Sequence, residues 1–194
     1  MFIKKYLNKK LVSICNHILE QYEYIKEKND VSSDNLLGTV YELPIIDRDL
    51  IDYLDVELKP HLKNCLEDYF LFTNLVGAND YFLKHYAIMH HREGFNIPFH
   101  YDSEYIYEKN GDENIRNFSV LMYLNDDFNG GELLFPVQNE SIKPEKGLIV
   151  IFPSSFMFPH TTIPSIGNDR IVLRINYLFD KRMIQKSVIN STKY

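Results

Sequence analysis

Cysteine is scarce in this sequence, with only Cys15 and Cys65 among 194 residues. Both lie among apolar residues that recur periodically, and neither belongs to a Cys-x-x-Cys pair, so we expect buried free thiols rather than a disulfide framework. Structural disulfides persist mainly in oxidising compartments. The scarcity of cysteine therefore favours a reducing compartment, and we expect a cytoplasmic location.

Long hydrophobic runs are also missing. No stretch stays apolar over the roughly 20 residues that a membrane-spanning helix requires. Lysines near the N-terminus precede an apolar segment at residues 11–19, but polar residues interrupt it and no small-residue cleavage site follows. We interpret the segment as the start of an amphipathic helix, and we expect no membrane partner.

The third absence is an excess of positive charge. The 27 acidic residues outnumber the 21 lysines and arginines, which gives a formal net charge of -6. A broad basic surface for a nucleic-acid backbone is therefore not expected. Internal repeats, low-complexity tracts and long linkers are absent from the sequence as well.

The remaining composition is that of an ordinary globular protein. Hydrophobic residues make up 45% of the chain and charged residues 25%, and this length suffices for one domain with a buried core. We predict a single domain over residues 1–194, with a helical support region at 1–75 and a β core at 80–180.

The first third of the chain has helical periodicity. Apolar residues recur at helical spacing near the N-terminus: Leu7, Leu11, Ile14, Cys15, Ile18 and Tyr22. A short strand is predicted at residues 39–43, between Gly38 and Pro44. Asp47 is predicted to cap a second helix, and Pro60 either kinks that helix or begins another one.

From residue 81 onward the sequence predicts short strands. Runs of β-branched and aromatic residues, separated by turn signals, occupy 81–91, 96–101, 117–125, 132–135, 148–152 and 170–179. Helices followed by many short strands favour a β-sandwich or open barrel with helices packed on one face. The polar segment 103–117 is either a flap over a site or an exposed hairpin loop.

Two histidines and one aspartate form a candidate metal site. Alternate residues of a strand point to the same side, so His100 and Asp102 would project together, and His160 would come from a distant strand. Two imidazoles and one carboxylate leave three positions of an octahedral metal open, which is typical of Fe(II) sites that activate oxygen. A structural zinc site would be closed by four ligands. Taken alone, a His-x-Asp pair also occurs on ordinary polar surfaces.

Arg170 follows His160 by ten residues and opens the last predicted strand. Its guanidinium can hold a carboxylate with two parallel hydrogen bonds. A cosubstrate such as 2-oxoglutarate chelates iron through its α-keto acid and carries a second carboxylate, which needs a cation when buried. Arg174 lies on the same strand face and is the alternative anchor. Either arginine could instead form a surface or structural ion pair.

The ordered motifs of residues 81–179 resemble the prolyl 4-hydroxylase branch of the Fe(II)- and 2-oxoglutarate-dependent dioxygenases. In order along the chain they are a strand-turn-strand with Gly94, the H-x-D motif His100-Tyr101-Asp102, a strand ending in Tyr123-Leu124-Asn125, the G-G-E-x-x-F-P turn and strand Gly130 to Pro136, a P-x-x-G-x-x-x-x-F segment at 144–152, and H-x(9)-[KR] from His160 to Arg170. The whole set is far more specific than any single motif.

The resemblance implies a mainly β fold with N-terminal helices and a double-stranded β-helix (jelly-roll) core. It implies that His100, Asp102 and His160 are the catalytic residues and hold Fe(II). The implied cofactors are Fe(II), 2-oxoglutarate and dioxygen, with ascorbate as reductant. The implied reaction is hydroxylation of an unactivated C–H bond, and Asp102 argues against a related halogenase, which needs a vacant position there.

Four further residues would line the cosubstrate pocket. By the same resemblance, Arg170 would bind the distal carboxylate of 2-oxoglutarate, the Tyr123 hydroxyl would assist it, and Leu133 would form a wall. Three residues before Gly94 the family usually has a tyrosine, and here it is His91. This histidine either donates a hydrogen bond to the cosubstrate or changes the preference of the pocket. Strand alternation lets only one of His90 and His91 face inward.

The resemblance favours a prolyl residue of a peptide or protein as substrate, and a free amino acid or another small molecule is the alternative. Tyr86, Tyr105 and Tyr107 either present aromatic surfaces to a proline ring or pack within the fold. The oligomeric state is not predicted.

Two functions of other classes remain as alternatives. A non-catalytic jelly-roll binding module would not need the metal triad and Arg170 together. A zinc hydrolase with the same ligands would need an acid/base carboxylate, for which Glu104 and Glu132 are weak candidates.

Overall fold

A computed structural model describes residues 3–28, 40–45, 47–73, 81–103, 105–107 and 113–179. The helices are α1 (Lys9–Lys28), α2 (Arg48–Glu57) and α3 (Lys59–Thr73). The strands are β1 (Lys4–Leu7), β2 (Val40–Pro44), β3 (Tyr81–His91), β4 (Tyr105–Tyr107), β5 (Glu113–Ile115), β6 (Phe118–Tyr123), β7 (Asn129–Gly130), β8 (Leu133–Phe135), β9 (Glu140–Ile142), β10 (Leu148–Pro153), β11 (Thr161–Thr162), β12 (Ser165–Ile166) and β13 (Arg170–Phe179).

The strands form one large sheet and two small ones, and every pairing is antiparallel. The large sheet runs β1-β10-β6-β13-β3-β2, with β5 also pairing with β13 and β4 with β5. The small sheets are β11-β8-β9 and β12-β7. The predicted mainly β architecture with helices near the N-terminus is confirmed.

The helices cover one face of the large sheet. Leu11, Ile14 and Ile18 of α1 are buried in one cluster with Leu54 of α2 and Leu62 of α3. The same cluster contains the helix-facing residues of the sheet: Val120, Met122, Ile149, Ile151, Leu173 and Ile175. Most of the apolar core therefore lies between the helices and this face.

The two shorter helices begin where the sequence predicts. The Asp47 carboxylate accepts a hydrogen bond from the Leu50 N–H at 3.1 Å and caps α2. Pro60 is the second residue of α3, where its missing N–H is not needed. Of the two alternatives for Pro60, a new helix is therefore the correct one. None of the described helices is both long and apolar enough to cross a membrane.

The opposite face of the large sheet looks towards the small β11-β8-β9 sheet. Because side chains alternate along a strand, Ser119, Leu121 and Tyr123 of β6 point to this side. Their neighbours Val120 and Met122 pack in the helix-side core. A second cluster fills part of the space between the sheets and includes Phe135, Val150 and Phe152. The remaining space is the cavity described below.

Two sequence predictions are wrong. Leu7 was assigned to the helical stripe, but it ends strand β1 and is 52% exposed. This strand pairs with β10, and its four residues have no clear sequence pattern that would predict a strand. Residues 96–101 form no strand beyond the single bridge between His100 and His160. Pro98 has no N–H to donate there, and the Ile97 N–H bonds to the Thr162 hydroxyl instead of a strand carbonyl.

Two other predictions fall partly outside the described residues. Gly38 and Thr39 lie beyond them, although the predicted strand is present as β2. In the segment 103–117, strands β4 and β5 pair with each other, and residues 104 and 108–112 are not described. The flap therefore stays a prediction.

Removing a core side chain should test the helix–sheet packing. Leu54→Ala should lower the free energy of unfolding by about 2–5 kcal/mol, because Leu54 is fully buried and truncation leaves a cavity. Val56→Ala is the control on the same helix, since Val56 is 68% exposed. Urea unfolding measures both, and equal changes for the two variants would contradict this packing.

Candidate metal centre

Three side chains from two distant parts of the sequence converge at the wall of the cavity. Ligand atoms of His100, Asp102 and His160 lie within 4.8 Å of one another. The backbones of the two histidines exchange N–H···O=C hydrogen bonds of 3.0 and 2.8 Å, which sets their imidazole centroids 4.3 Å apart. The bridge between these two residues, and not a continuous strand, therefore brings the imidazoles together.

Each imidazole is oriented by a carbonyl two residues earlier in the chain. His100 Nδ1 lies 2.7 Å from the Pro98 carbonyl oxygen, and His160 Nδ1 lies 3.1 Å from that of Phe158. A carbonyl only accepts, so each Nδ1 carries a hydrogen, and the neutral form of each ring has its lone pair at Nε2. The Nε2 atoms face Asp102 Oδ1, at 3.3 Å for His100 and 3.8 Å for His160. Such a tautomer is what a metal requires of histidine.

The Asp102 carboxylate is held by a pair of serines. Ser119 Oγ donates to Asp102 Oδ2 at 2.5 Å, and Ser154 Oγ lies 2.9 Å from Ser119 Oγ. The Asp102 N–H donates to the Ser154 carbonyl at 3.1 Å. One carboxylate oxygen is thereby fixed by the fold, while the other faces the imidazoles.

Arg116 is a partner of Asp102 that the sequence reasoning missed. It is 4% exposed, and its Nε and Nη2 donate to the Asp102 carbonyl at 2.9 and 2.5 Å. Nη2 also lies 3.6 Å from Asp102 Oδ1. A general rule, that a buried carboxylate needs a nearby cation, predicts that some basic residue lies close to Asp102. No spacing pattern distinguished Arg116 from the other arginines.

These surroundings fix the charge of the site. Burial alone would raise the pKa of Asp102, but the hydrogen bond with His100 and the charge of Arg116 hold it well below its ordinary range. Burial lowers the pKa of His160, and the hydrogen bond with Asp102 raises that of His100. The contact with Asp102 favours a proton on His100 Nε2, and a divalent metal that binds the ionised carboxylate and both Nε2 atoms would displace this proton.

A cavity of about 410 Å³ extends from these three residues. All four residues predicted to bind the cosubstrate line it: Arg170, Tyr123, His91 and Leu133. Apolar side chains form most of the remaining wall, including Met89, Leu121 and Val172. A largely apolar cavity with a few convergent polar groups is the usual form of a small-molecule site.

Arg170 is the buried cation of this cavity. It is 2% exposed, and its guanidinium donates to the Gly131 carbonyl at 2.9 Å and to the Thr162 hydroxyl at 3.3 Å. Its Nε has no hydrogen-bond partner. Among the described residues no carboxylate lies within ion-pair distance of it. Arg170 therefore forms no ion pair with a described residue. A buried guanidinium without a negatively charged partner favours the binding of an anionic ligand.

His91 is the second unsatisfied group. It is fully buried, and neither of its ring nitrogens has a hydrogen-bond partner. It pairs in register with Arg170, and burial together with that charge lowers its pKa, so the ring is neutral. Buried polar atoms are normally hydrogen-bonded. An oxygen-rich ligand between His91 and Arg170 would satisfy both, which fits a carboxylate.

Tyr123 and Leu133 complete the predicted set. Burial raises the pKa of Tyr123 to about 12, so its hydroxyl stays protonated and can donate to an anion. Leu133 is 2% exposed and forms part of the wall. Arg174, the alternative anchor, also lines the cavity but is only half-buried. The more deeply buried Arg170 is the better anchor.

A hydrogen-bonded chain supports the wall that carries Arg170 and His91. Tyr22 Oη lies 2.5 Å from His90 Nδ1, and His90 Nε2 lies 2.6 Å from Asp169 Oδ2. The Glu93 N–H also donates to Asp169 at 2.7 Å. This chain ties α1 to the ends of β3 and β13. As predicted from alternation, His91 faces the cavity and His90 faces away from it.

The remaining candidates either lie away from the site or have side chains outside the described residues. Glu132 is not among the residues that line the cavity, and Glu104 lies outside the described residues, so no acid/base carboxylate for a hydrolase is seen in the described part of the chain. Tyr86 packs in the helix-side core, where its hydroxyl donates to Asp55 at 3.3 Å. The side chains of Tyr105 and Tyr107 lie outside the described residues.

Comparison with protein families gives one match. The model of the 2OG-Fe(II) oxygenase superfamily matches residues 83–178, about half of the chain. The matched region contains both histidines and the aspartate of the candidate metal centre as well as Arg170. Comparison with curated protein sequences gives no match.

Solved structures of prolyl hydroxylases resemble this chain along most of its length. The viral collagen prolyl hydroxylase of Paramecium Bursaria Chlorella virus-1, in its 2OG complex, is 15% identical with a TM-score of 0.68, and the match covers 92% of this chain and 97% of that one. A prolyl-4-hydroxylase of Pseudomonas putida is 16% identical with a TM-score of 0.56, covering 93% and 92%.

The third is a prolyl hydroxylase from Trichoplax adhaerens in complex with a hypoxia inducible factor oxygen degradation domain peptide fragment. It is 18% identical with a TM-score of 0.58, and the match covers 93% of this chain and 84% of that one. At these identities the likeness shows the fold, and the predicted jelly-roll core is confirmed.

Arg116 should influence metal affinity through Asp102. Arg116→Met should weaken Co(II) binding by about 10- to 100-fold, because the carboxylate loses the cation that keeps it ionised and oriented. The Co(II) affinity of Arg116→Lys should fall between that of Arg116→Met and that of the wild type. Lysine keeps the positive charge but cannot donate two hydrogen bonds to the Asp102 carbonyl as Arg116 does. Arg48→Met is the control, because the Arg48 side chain is 81% exposed on α2.

Calorimetric titration with Co(II) measures the affinity, and circular dichroism checks that each variant is folded. A folded Arg116→Met protein that binds Co(II) as tightly as the wild type would contradict the assigned role.

Proposed function

The chain belongs to the 2OG-Fe(II) oxygenase superfamily, which uses Fe(II), 2-oxoglutarate and dioxygen, and we propose that it hydroxylates an unactivated C–H bond of a prolyl residue in a peptide or protein. The observation that carries the proposal is the convergence of His100, Asp102 and His160 beside a cavity that Arg170 and His91 also line. We further propose a cytoplasmic location and ascorbate as reductant.

The metal ligands are His100 Nε2, Asp102 Oδ1 and His160 Nε2. Both imidazoles present their lone pairs on the side of the carboxylate, because their Nδ1 hydrogens are engaged by carbonyl oxygens. Phe135 and Phe152 pack against the His160 ring and keep that side apolar. Three protein ligands leave room at the metal for other groups.

The cosubstrate would be held between the three metal-binding residues and Arg170. Thr162, whose hydroxyl accepts from Arg170, lies two residues after His160, so the guanidinium is within reach of a ligand that starts at the metal. Arg170 would bind the distal carboxylate, with hydrogen bonds from His91 and the Tyr123 hydroxyl, and Leu133 would pack against the carbon chain. When bound, iron, 2-oxoglutarate and dioxygen would supply the hydroxylation of a C–H bond, in which one oxygen atom enters the substrate and the other enters succinate as 2-oxoglutarate loses carbon dioxide.

The choice of a prolyl residue is supported by the three structural neighbours, which are prolyl hydroxylases, one of them with a bound peptide fragment. Apolar side chains are also exposed next to the metal ligands: Phe99 and Tyr101 flank His100 at 60% and 54% exposure. Exposed aromatic groups beside a cavity are suited to an apolar ring such as that of proline.

A free amino acid is the second candidate substrate. The observation that favours it is Arg174, a second cation that lines the same cavity. A non-catalytic binding module would not require the three candidate metal ligands together with the unsatisfied polar atoms of His91 and Arg170.

The decisive experiment incubates the protein with Fe(II), ascorbate and 2-oxoglutarate, and measures succinate. Mass spectrometry of proline-containing peptides and free amino acids then identifies the molecule that gains an oxygen atom. Absence of succinate under all conditions would favour the binding module.

Asp102→Ala should abolish succinate formation and weaken Co(II) binding while the protein remains folded, because the carboxylate is a ligand and not part of the apolar core. Asp52→Ala is the control, since Asp52 lies exposed on α2. Wild-type turnover by Asp102→Ala would show that the metal assignment is wrong.

Arg170→Gln should raise the KM for 2-oxoglutarate by about 30-fold or more, since the loss of one partner of a buried charge pair costs about 2 kcal/mol or more. Arg170→Lys should lie between this variant and the wild type, because lysine keeps the charge without the planar fork. Steady-state succinate assays measure the effect, with Arg48→Gln as the surface control. An unchanged KM for Arg170→Gln would place the anchor elsewhere.

A further inference from the structure

The backbone on both sides of Arg170 is held by the side chain of Asn125. Asn125 Nδ2 donates to the Asp169 carbonyl oxygen at 2.8 Å, and Asn125 Oδ1 accepts from the Ile171 N–H at 2.8 Å. One amide group therefore fixes the residue before and the residue after the candidate anchor. Because Asn125 follows β6, these bonds also tie the end of β6 to the start of β13.

Asp169 connects the start of β13 to β3. Its carboxylate accepts from His90 Nε2 at 2.6 Å and from the Glu93 N–H at 2.7 Å. Burial alone would raise the pKa of Asp169, but these two hydrogen bonds lower it, so the carboxylate stays ionised and can accept both. Asp169 directly precedes Arg170, and His90 directly precedes His91. One hydrogen bond therefore links the chain neighbours of the two unsatisfied cavity groups.

His90 is in turn held from α1. A carboxylate only accepts, so His90 Nε2 carries a hydrogen, and Nδ1 of the neutral ring accepts from the Tyr22 hydroxyl 2.5 Å away. Tyr22 is 2% exposed and His90 is 8% exposed, so water competes little for this hydrogen bond. The hydrogen bonds thus run from the helical layer to the residue that precedes the anchor.

The groups that face the cavity keep open hydrogen-bonding positions. Arg170 Nε and both ring nitrogens of His91 have no hydrogen-bond partner. His91 and Arg170 are directly paired, and the Cβ atoms of such a pair lie about 4.5–5.5 Å apart, so one carboxylate can contact both side chains. Its affinity then depends on the alignment of the two strand ends, since a misplacement of about 1 Å weakens such a contact strongly.

We propose that Asn125 and Asp169 are positioning residues for the cosubstrate, which hold Arg170 and His91 in the alignment that binds the distal carboxylate. Neither Asn125 nor Asp169 is among the residues that line the cavity, so both act through the anchor and not by contact with the ligand. This inference rests on the proposed function and concerns the same site.

The test separates the distal carboxylate from the rest of the ligand. Protein loaded with Co(II) under argon is titrated calorimetrically with 2-oxoglutarate and with 2-oxopentanoate, which has a methyl group in place of the distal carboxylate. Asp169→Ala and Asn125→Ala should each weaken 2-oxoglutarate binding by about tenfold, the lower end of what the loss of a supporting hydrogen-bond partner costs at a metal site. Binding of 2-oxopentanoate and of Co(II) should stay as in the wild type, because neither depends on the anchor.

A double substitution shows whether the two residues act through Arg170. In Arg170→Gln protein, adding Asp169→Ala or Asn125→Ala should cause little further loss of 2-oxoglutarate affinity, because substitutions that act through one shared group are not additive. Asp169→Asn should retain most of the affinity. Its amide can accept from the Glu93 N–H and donate to His90 Nε2 in the opposite tautomer.

The control is Asp52→Ala, which removes one carboxylate from an exposed position of α2 and should bind both keto acids as the wild type does. Three outcomes would overturn the inference. They are unchanged 2-oxoglutarate affinity in either alanine variant, an equal loss for 2-oxoglutarate, 2-oxopentanoate and Co(II), and a loss that is as large in Arg170→Gln protein as in the wild type. The Asp169 side chain is 42% exposed, so Asp169→Ala decides the test even if Asn125→Ala does not fold.

Failure of this inference and failure of the proposed function are distinguishable, because the binding measurements need no turnover. Wild-type protein that forms succinate, but whose 2-oxoglutarate affinity does not depend on Asn125 and Asp169, is a dioxygenase whose anchor is held by other contacts. Wild-type protein that forms no succinate under any condition is not a dioxygenase, whatever the variants bind.

Discussion

The site depends on keeping the Asp102 carboxylate buried, ionised and fixed in orientation. A buried carboxylate is stable only with compensating partners, and here Arg116, Ser119 and Ser154 supply them from the start of β6 and the end of β10. Their hydrogen bonds engage the backbone carbonyl and one carboxylate oxygen. The other oxygen is left facing the two imidazoles, which is the arrangement that a divalent metal needs.

Strand alternation lets one sheet serve both stability and chemistry. On β13, Ile171, Leu173 and Ile175 pack on the helix side, whereas Arg170 and Arg174 line the cavity. The helices cover the first face and hold the strands in place, and the strands in turn position the cavity residues on the second face. Stabilising contacts and ligand contacts are thus carried by alternate residues of the same strands, which ties the geometry of the cavity to the packing of the core.

Much of the fold follows from local patterns, because period-2 and period-3.6 repeats report directly which face of an element is buried. The bounds of β3 and β13 and the cap at Asp47 are predicted in this way. The short strand β1 is not predicted, since its four residues alternate weakly and are held by pairing with β10. The prediction of a strand at residues 96–101 failed because a single bridge and side-chain bonds replace the ladder there.

The chemical types and the order of the site residues follow from spacing along the chain. His100, Asp102, His160 and Arg170 have recognisable spacings, and His91 is evident as a departure from the usual tyrosine. Three other features become visible only in the folded chain: the contact of Arg116 with Asp102, the support of the cavity wall by Tyr22, His90 and Asp169, and the position of Arg174 in the cavity. The physical reason is range. Spacing along the chain encodes direction within one element, whereas contacts between distant elements exist only after the strands have paired and the sheets have closed on each other.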